Sequence, residues 1–165
     1  MRGNQHIIGL LVFWGARETQ NIINPVTVLA DKADVAALDW IKTHTAPAAR
    51  FFINSTPWQG NVSRGVDGGY WLEPYAGRET IVPPIVYGFG TPDVTTQING
   101  WIGQAQKITG CTPDFWKLVR ETGLTYVYVR QGMGNLQPKA LSECPRLKPV
   151  YEQSGITIYA ILPPG

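Results

Sequence analysis

Charge is scarce in this chain. Lys, Arg, Asp and Glu make up 16% of its 165 residues, against about 25% in an average globular domain. The net charge is +2 and no basic run occurs, so the electrostatic footprint of a nucleic-acid partner is missing. Histidine is nearly absent, with only His6 and His44. A Ser-His-Asp or Cys-His nucleophile needs a base beside it, and His44 falls where a helix C-terminus favours a histidine for its dipole. The two cysteines, Cys111 and Cys144, lack paired metal-ligand spacing, which excludes a ribbon- or finger-type zinc site. They are either a disulfide, worth about 3–4 kcal/mol by chain entropy, or two buried thiols. No apolar run reaches the length of about 20 residues that crosses a bilayer.

Glycine (18) and proline (13) are plentiful. They argue for a loop-rich α/β domain and against a coiled coil or helical bundle. Six Trp and seven Tyr are many for a chain of this length. Exposed Trp and Tyr are common where sugars, lipids or membrane interfaces are met, although residue by residue most belong to a core.

"IIGLLVFW", Ile7–Trp14, has three readings: a signal-peptide core, the end of a transmembrane helix, or a buried element. The second is favoured, with Trp14 and Arg17 as interfacial anchors. The division expected is 1–20 as a membrane-helix end or lead-in, and 21–165 as one α/β domain. An extended lead-in over 18–30 precedes a helix, "ADVAALDWIKTHT", capped by Asp31 or Asp34. "ARFFINS" reads as a buried strand. Residues 55–66 read as a polar loop, and Asn54 and Asn61 begin glycosylation-type triplets. "YWLEPYA" makes about two helical turns limited by Pro74, with Gly77 past its end. "RETIVPP" reads as a strand and 85–92 as a loop. "DVTTQINGWIGQAQKI" reads as a helix interrupted by Gly100 and Gly103. "TPDFWKLVRETG" carries cap, N1 proline and terminal glycine. "LTYVYVR" reads as a strand, and a short helix lies near 138–143. "LKPVYEQSGITIYAIL" reads as a hairpin turning at Gln153-Ser154-Gly155. This order predicts a Rossmann-like three-layer α/β sandwich. Its sheet is mostly parallel, of about five strands, with an antiparallel C-terminal hairpin.

The chemistry-bearing stretch is "GVDGGYWLEPYAGRET", 65–80. Asp67 is a plausible helix cap, and Gly68 and Gly69 admit a close backbone or ligand. Asp67 with Glu73 or Glu79 could form a carboxylate pair of the glycosidase type, with capping the preferred role for Asp67. Arg78 could fork onto a carboxylate or phosphate, or hold Asp67 or Glu79 in an ion pair. Tyr70, Trp71 and Tyr75 stand at near-helical spacing. If Trp71 packs inward, Tyr70 and Glu73 face a cleft at the strand carboxyl ends. Neither the glycines near Asp67 nor "GMGNLQ" fits a dinucleotide or phosphate loop. No cofactor and no metal are expected.

The segments "ADVAALDWIKTHTAPAARFFINS", "DGGYWLEPYAGRETIVPP", "GLTYVYV" and "YEQSGITIYAIL" together resemble the soluble tail of multi-pass bacterial membrane proteins related to GT-C-type glycosyltransferases. The resemblance runs from about residue 21 to the end of the chain. The "D-G-G-Y-W-L" stretch is also similar to the oligosaccharyltransferase segment marked by Trp-Trp-Asp-Tyr-Gly. Gly65-Val66 stand in place of its tryptophans and Gly68 in place of its tyrosine, so peptide recognition does not carry over. Asp67, Gly69, Tyr70 and Trp71 match, and with Arg78 they are the candidate substrate-binding residues. The resemblance implies an extracytoplasmic domain on the cell membrane. Its partners would be the transmembrane helices of its own chain and a glycan or lipid-linked sugar. It also implies that the catalytic acid lies in a membrane loop outside this segment. The alternatives are a structural or interaction domain without ligand, or a small stand-alone transferase.

Overall fold

The computed structural model describes residues 12–15, 17 and 28–163. The expectations for His6, for most of 1–30 and for the closing "PG" lie outside them. Among the described residues no helix is long and apolar enough to cross a membrane.

The first helix, α1 (Lys32–His44), starts where Asp31 leaves extended geometry and caps it. The Asp31 carboxylate accepts from the Ala33 N–H at 2.8 Å. The Asp34 carboxylate returns the favour, accepting from the Asp31 N–H at 2.8 Å. This reciprocal cap satisfies amides that the first turn leaves open. Ala37, Leu38 and Ile41 face the core.

The chain turns into β1 (Arg50–Phe52), then β2 (Ser55–Pro57) and β3 (Ser63–Gly65), then β4 (Glu79–Thr80). After α2 (Pro92–Ala105) and α3 (Pro113–Thr122) come β5 (Tyr126–Arg130), a one-turn helix α4 (Pro138–Leu141), and the hairpin β6 (Leu147–Gln153) and β7 (Ile156–Ile161). Five strands form one mixed sheet in the order β4-β1-β5-β7-β6. β4, β1 and β5 are parallel, while β7 and β6 run antiparallel. The fold is therefore mixed α/β, with the antiparallel pair at the C-terminus as the sequence predicts.

β1 is buried on both faces, as a central parallel strand must be. Phe51 and Phe52 are fully buried. Phe51 stacks on Tyr126 with centroids 5.0 Å apart, on the face that also carries Tyr128 and α1. Phe52 meets Phe115 of α3 edge-on at 6.1 Å. Each such ring adds about 1.5–3 kcal/mol by leaving water.

Several elements differ from expectation. The segment 55–66 contains the two-stranded β2–β3 hairpin in place of a loop. The region after Asp67 is a 3-10 turn, Gly68–Trp71, followed by a wide π turn, Leu72–Ala76. Pro74 supplies no N–H for a regular ladder, which accounts for the widening. β4 keeps two residues of the predicted strand. A 3-10 turn occupies Ile85–Phe89. α2 runs unbroken through Gly100 and Gly103. Two loose ends of the fold are joined by a Cys111–Cys144 disulfide, with Cα atoms 6.1 Å apart and a sequence separation of 33.

That bond closes the chain from the start of α3 to the end of α4. Cys144→Ser is expected to lower unfolding free energy by about 3–4 kcal/mol. Urea melts with and without reductant check it: a reductant effect on the parent that vanishes in the variant is the expected result.

Candidate functional site

β3 delivers the chain to Asp67, whose backbone is extended. The Asp67 Oδ1 accepts the Gly69 N–H at 3.0 Å, which caps the 3-10 turn as a short acidic side chain does best. The following glycines answer to space and not to torsion. A Cβ on Gly68 would lie 2.4 Å from the Asp34 side chain. One on Gly69 would lie 2.9 Å from Ile53 Cγ2 and Tyr128 Cδ1. The turn is thus pressed flat against α1 and β5.

Under it lies a buried polar cluster. Asp34 is fully buried. Its Oδ1 accepts the Tyr128 hydroxyl at 2.6 Å, and its Oδ2 is paired with Arg130 Nη1. The other Arg130 nitrogen reaches Asp31 at 2.6 Å. Asp67 is also fully buried, and its Oδ2 has no partner among the described residues.

Two carboxyls therefore share one guanidinium, and a third, Asp67, is buried nearby without touching it. Burial pushes the Asp67 carboxyl up to about 7; the Gly69 N–H opposes this and the Asp34 charge adds to it. The hydrogen bond from Arg130 holds the Asp31 carboxyl down, at about 2. Burial, with the Asp67 charge behind it, keeps the Tyr128 phenol above its usual range. Burial thus inclines Asp67 to hold a proton as pH falls below neutral. It cannot pass that proton to a ligand from a position sealed off from solvent, because a general acid or base must reach the atom it serves. The cluster positions the turn.

What the turn presents is aromatic. Tyr70 is half-buried against Gly65, where a Cβ would meet the Tyr70 Cβ at 2.5 Å. Trp71 points outward, 47% exposed, which reverses the inward packing considered for it. Tyr75 is 42% exposed. Its hydroxyl donates to Asp39 at 2.9 Å, and the Lys42 ammonium sits 5.8 Å from its ring centre. Glu73 does not face a cleft with Asp67: it accepts from the Thr80 N–H at 3.1 Å, and burial raises its carboxyl.

Arg78 requires a correction. It forks onto neither a carboxylate nor an open surface. Its Nε donates to Thr45 Oγ1 at 3.0 Å, and its two Nη atoms to the carbonyls of Ala76, Lys42 and Thr45 at 2.9–3.0 Å. It closes the C-terminus of α1, where carbonyls lack partners and the dipole favours a cation. His44, stacked on Trp40 at 4.8 Å, shares that helix end.

Asn54 also has a different role from the glycosylation acceptor its triplet suggests. It is buried. Its Nδ2 donates to the Met133 and Leu136 carbonyls at 3.1 and 2.8 Å, and its Oδ1 accepts the Leu136 N–H at 3.0 Å. "GMGNLQ" is shaped around this amide: a Cβ on Gly134, at φ +72°, would lie 2.4 Å from it. The sequence offers Asp34 only as an alternative helix cap and assigns no role to Tyr128 or Arg130. The available signal was the Tyr-x-Arg ending of β5, whose polar tips had to find buried partners.

Gly68→Ala is expected to destabilise by about 2–3 kcal/mol, because the Asp34 side chain and the backbone must both give. Thermal unfolding measures it, and a variant as stable as the parent refutes the close approach. Asp67 also sets a pH dependence. Its folded carboxyl holds a proton more tightly than its unfolded one, so its contribution is complete below about pH 4 and is lost as pH rises through about 7. Asp67→Asn is expected to remove a fall of on the order of 2–4 kcal/mol between those limits. Urea titrations across the range, compared with the parent, measure it.

Compared with known proteins, the chain matches no family model, no curated protein and no solved structure.

Proposed function

We propose that this chain is the extracytoplasmic domain of a GT-C glycosyltransferase-like membrane protein. It assists in binding a glycan or lipid-linked sugar and is not catalytic by itself. The observation that carries the reading is the Cys111–Cys144 disulfide, a bond that persists in oxidising compartments and is rare in the cytoplasm. Two further features support it. Val12, Phe13 and Trp14 are helical and 66%, 65% and 69% exposed, as a helix end does when membrane or partner helices surround it. Trp71 stands open on a turn held from beneath by the Asp34 cluster, and a rigid, half-wet aromatic suits stacking on a sugar ring.

The architecture proposed with this reading is a Rossmann-like three-layer sandwich. The Asp34–Tyr128 contact sets α1 over one face of the sheet, and the Phe52–Phe115 contact sets α3 over the other.

A structural or interaction domain without ligand is the second reading. It draws on the burial of Asp67 and on the full engagement of Arg78 with backbone carbonyls and the Thr45 hydroxyl.

Alkaline phosphatase joined after residue 165, in the natural gene context, tests the placement. Activity of the fusion is expected, and an inactive enzyme with a fluorescent cytoplasmic reporter at the same site overturns it. Trp71→Ala in the full-length protein is expected to lower kcat/KM for glycosyl transfer about tenfold, the scale of one lost aromatic contact, with Tm unchanged. Transfer at the parent rate would favour the second reading.

A further inference from the structure

A groove of about 380 Å³ runs between the β2–β3 hairpin and α2. Its volume is within the range of about 300–1,000 Å³ usual for small-ligand clefts. One wall, the β2–β3 hairpin, follows β1 directly in the chain.

The lining is polar without being charged. Asn61, Ser63, Asn99 and Gln106 supply amides and a hydroxyl, and Val62 and Ile102 supply apolar surface. Two of the amides are oriented by their neighbours. The Tyr87 hydroxyl accepts the Ser63 N–H at 2.7 Å, so its one proton goes to Asn99 Oδ1 at 3.0 Å. That leaves the Asn99 Nδ2 as a donor with no partner among the described residues. Gln106 Nε2 lies against Ser55 Oγ and Ser63 Oγ at 3.3 and 3.2 Å, leaving its Oε1 as an acceptor. Gly103 bares the helix backbone on this side, since a Cβ there would meet nothing within 4 Å.

We infer that this groove binds a neutral saccharide. A sugar hydroxyl both donates and accepts, which suits a fixed donor beside a fixed acceptor. The apolar strip suits the C–H face of a pyranose ring. A phosphate or carboxylate would enter without a cation to offset its desolvation. The groove is built from different elements than the Trp71 turn, so it stands or falls on its own variants.

The test is an amide-shift titration of the 165-residue chain with chitotriose, mannotriose and maltotriose. Inorganic phosphate and trigalacturonate serve as charged comparators. Saturable shifts at Gly103 and Gln106 with a neutral sugar are expected. Asn99→Leu is expected to weaken binding about five- to tenfold, the scale of one lost hydrogen bond. Because Asn99 also holds Tyr87, the exposed Asn61→Ala provides a second variant that leaves Tm unchanged and weakens binding in the same direction. Trp71→Ala is expected to leave the titration as it was. The inference is overturned if none of the three neutral sugars saturates, if only the charged probes do, or if folded Asn61→Ala binds as tightly as the parent.

Discussion

Asp34 is the residue on which the arrangement of this domain turns. It stands in the first turn of α1 and accepts the N–H of its own cap. From there it takes the Tyr128 hydroxyl and the Arg130 guanidinium of β5. Its side chain also fills the space that any β-carbon at Gly68 would need. Helix, strand and turn are thus fixed to one buried carboxylate. Such a charge is tolerable only when its partners are complete. Loss of Tyr128 or Arg130 would leave that buried carboxyl short of a partner. The cluster has little slack, and the Asp-Gly-Gly of the turn is the shape that it imposes on its neighbour.

The parts of the fold that were legible in sequence are those whose signals are local. α3 carries its hydroxyl cap, its N1 proline and its left-handed Gly123 within a dozen letters. The last hairpin carries Ser154-Gly155, both at positive φ, between two β-branched and aromatic runs. The β2–β3 hairpin was not legible, because its strands are short and polar and one contains Pro57. The glycines of α2 suggested a break that the open surface around them does not require. At the candidate site, Asp67 was legible as a cap. Its burial was not, because Asp34 and Tyr128 approach it from remote parts of the chain. The same holds for Arg78, whose partners are backbone carbonyls and therefore have no letter of their own.

Four of the arginines are engaged within the fold. Arg64 lies 4.0 Å from the ring centre of Trp58 and Arg146 lies 4.4 Å from that of Trp116. Arg78 is spent on carbonyls and Arg130 on two carboxylates. Guanidinium groups spread over aromatic faces in this way are held to the rings by cation–π attraction.

The two outermost strands of the sheet have a further consequence. β4 has only two residues. β6 contains Pro149 and is interrupted at Val150, where the register against β7 slips. A foreign strand laid along either margin would find a ladder too short, or one missing an N–H and bent out of line. Among the described residues, edge-to-edge pairing of two such sheets would be short at one margin and broken at the other.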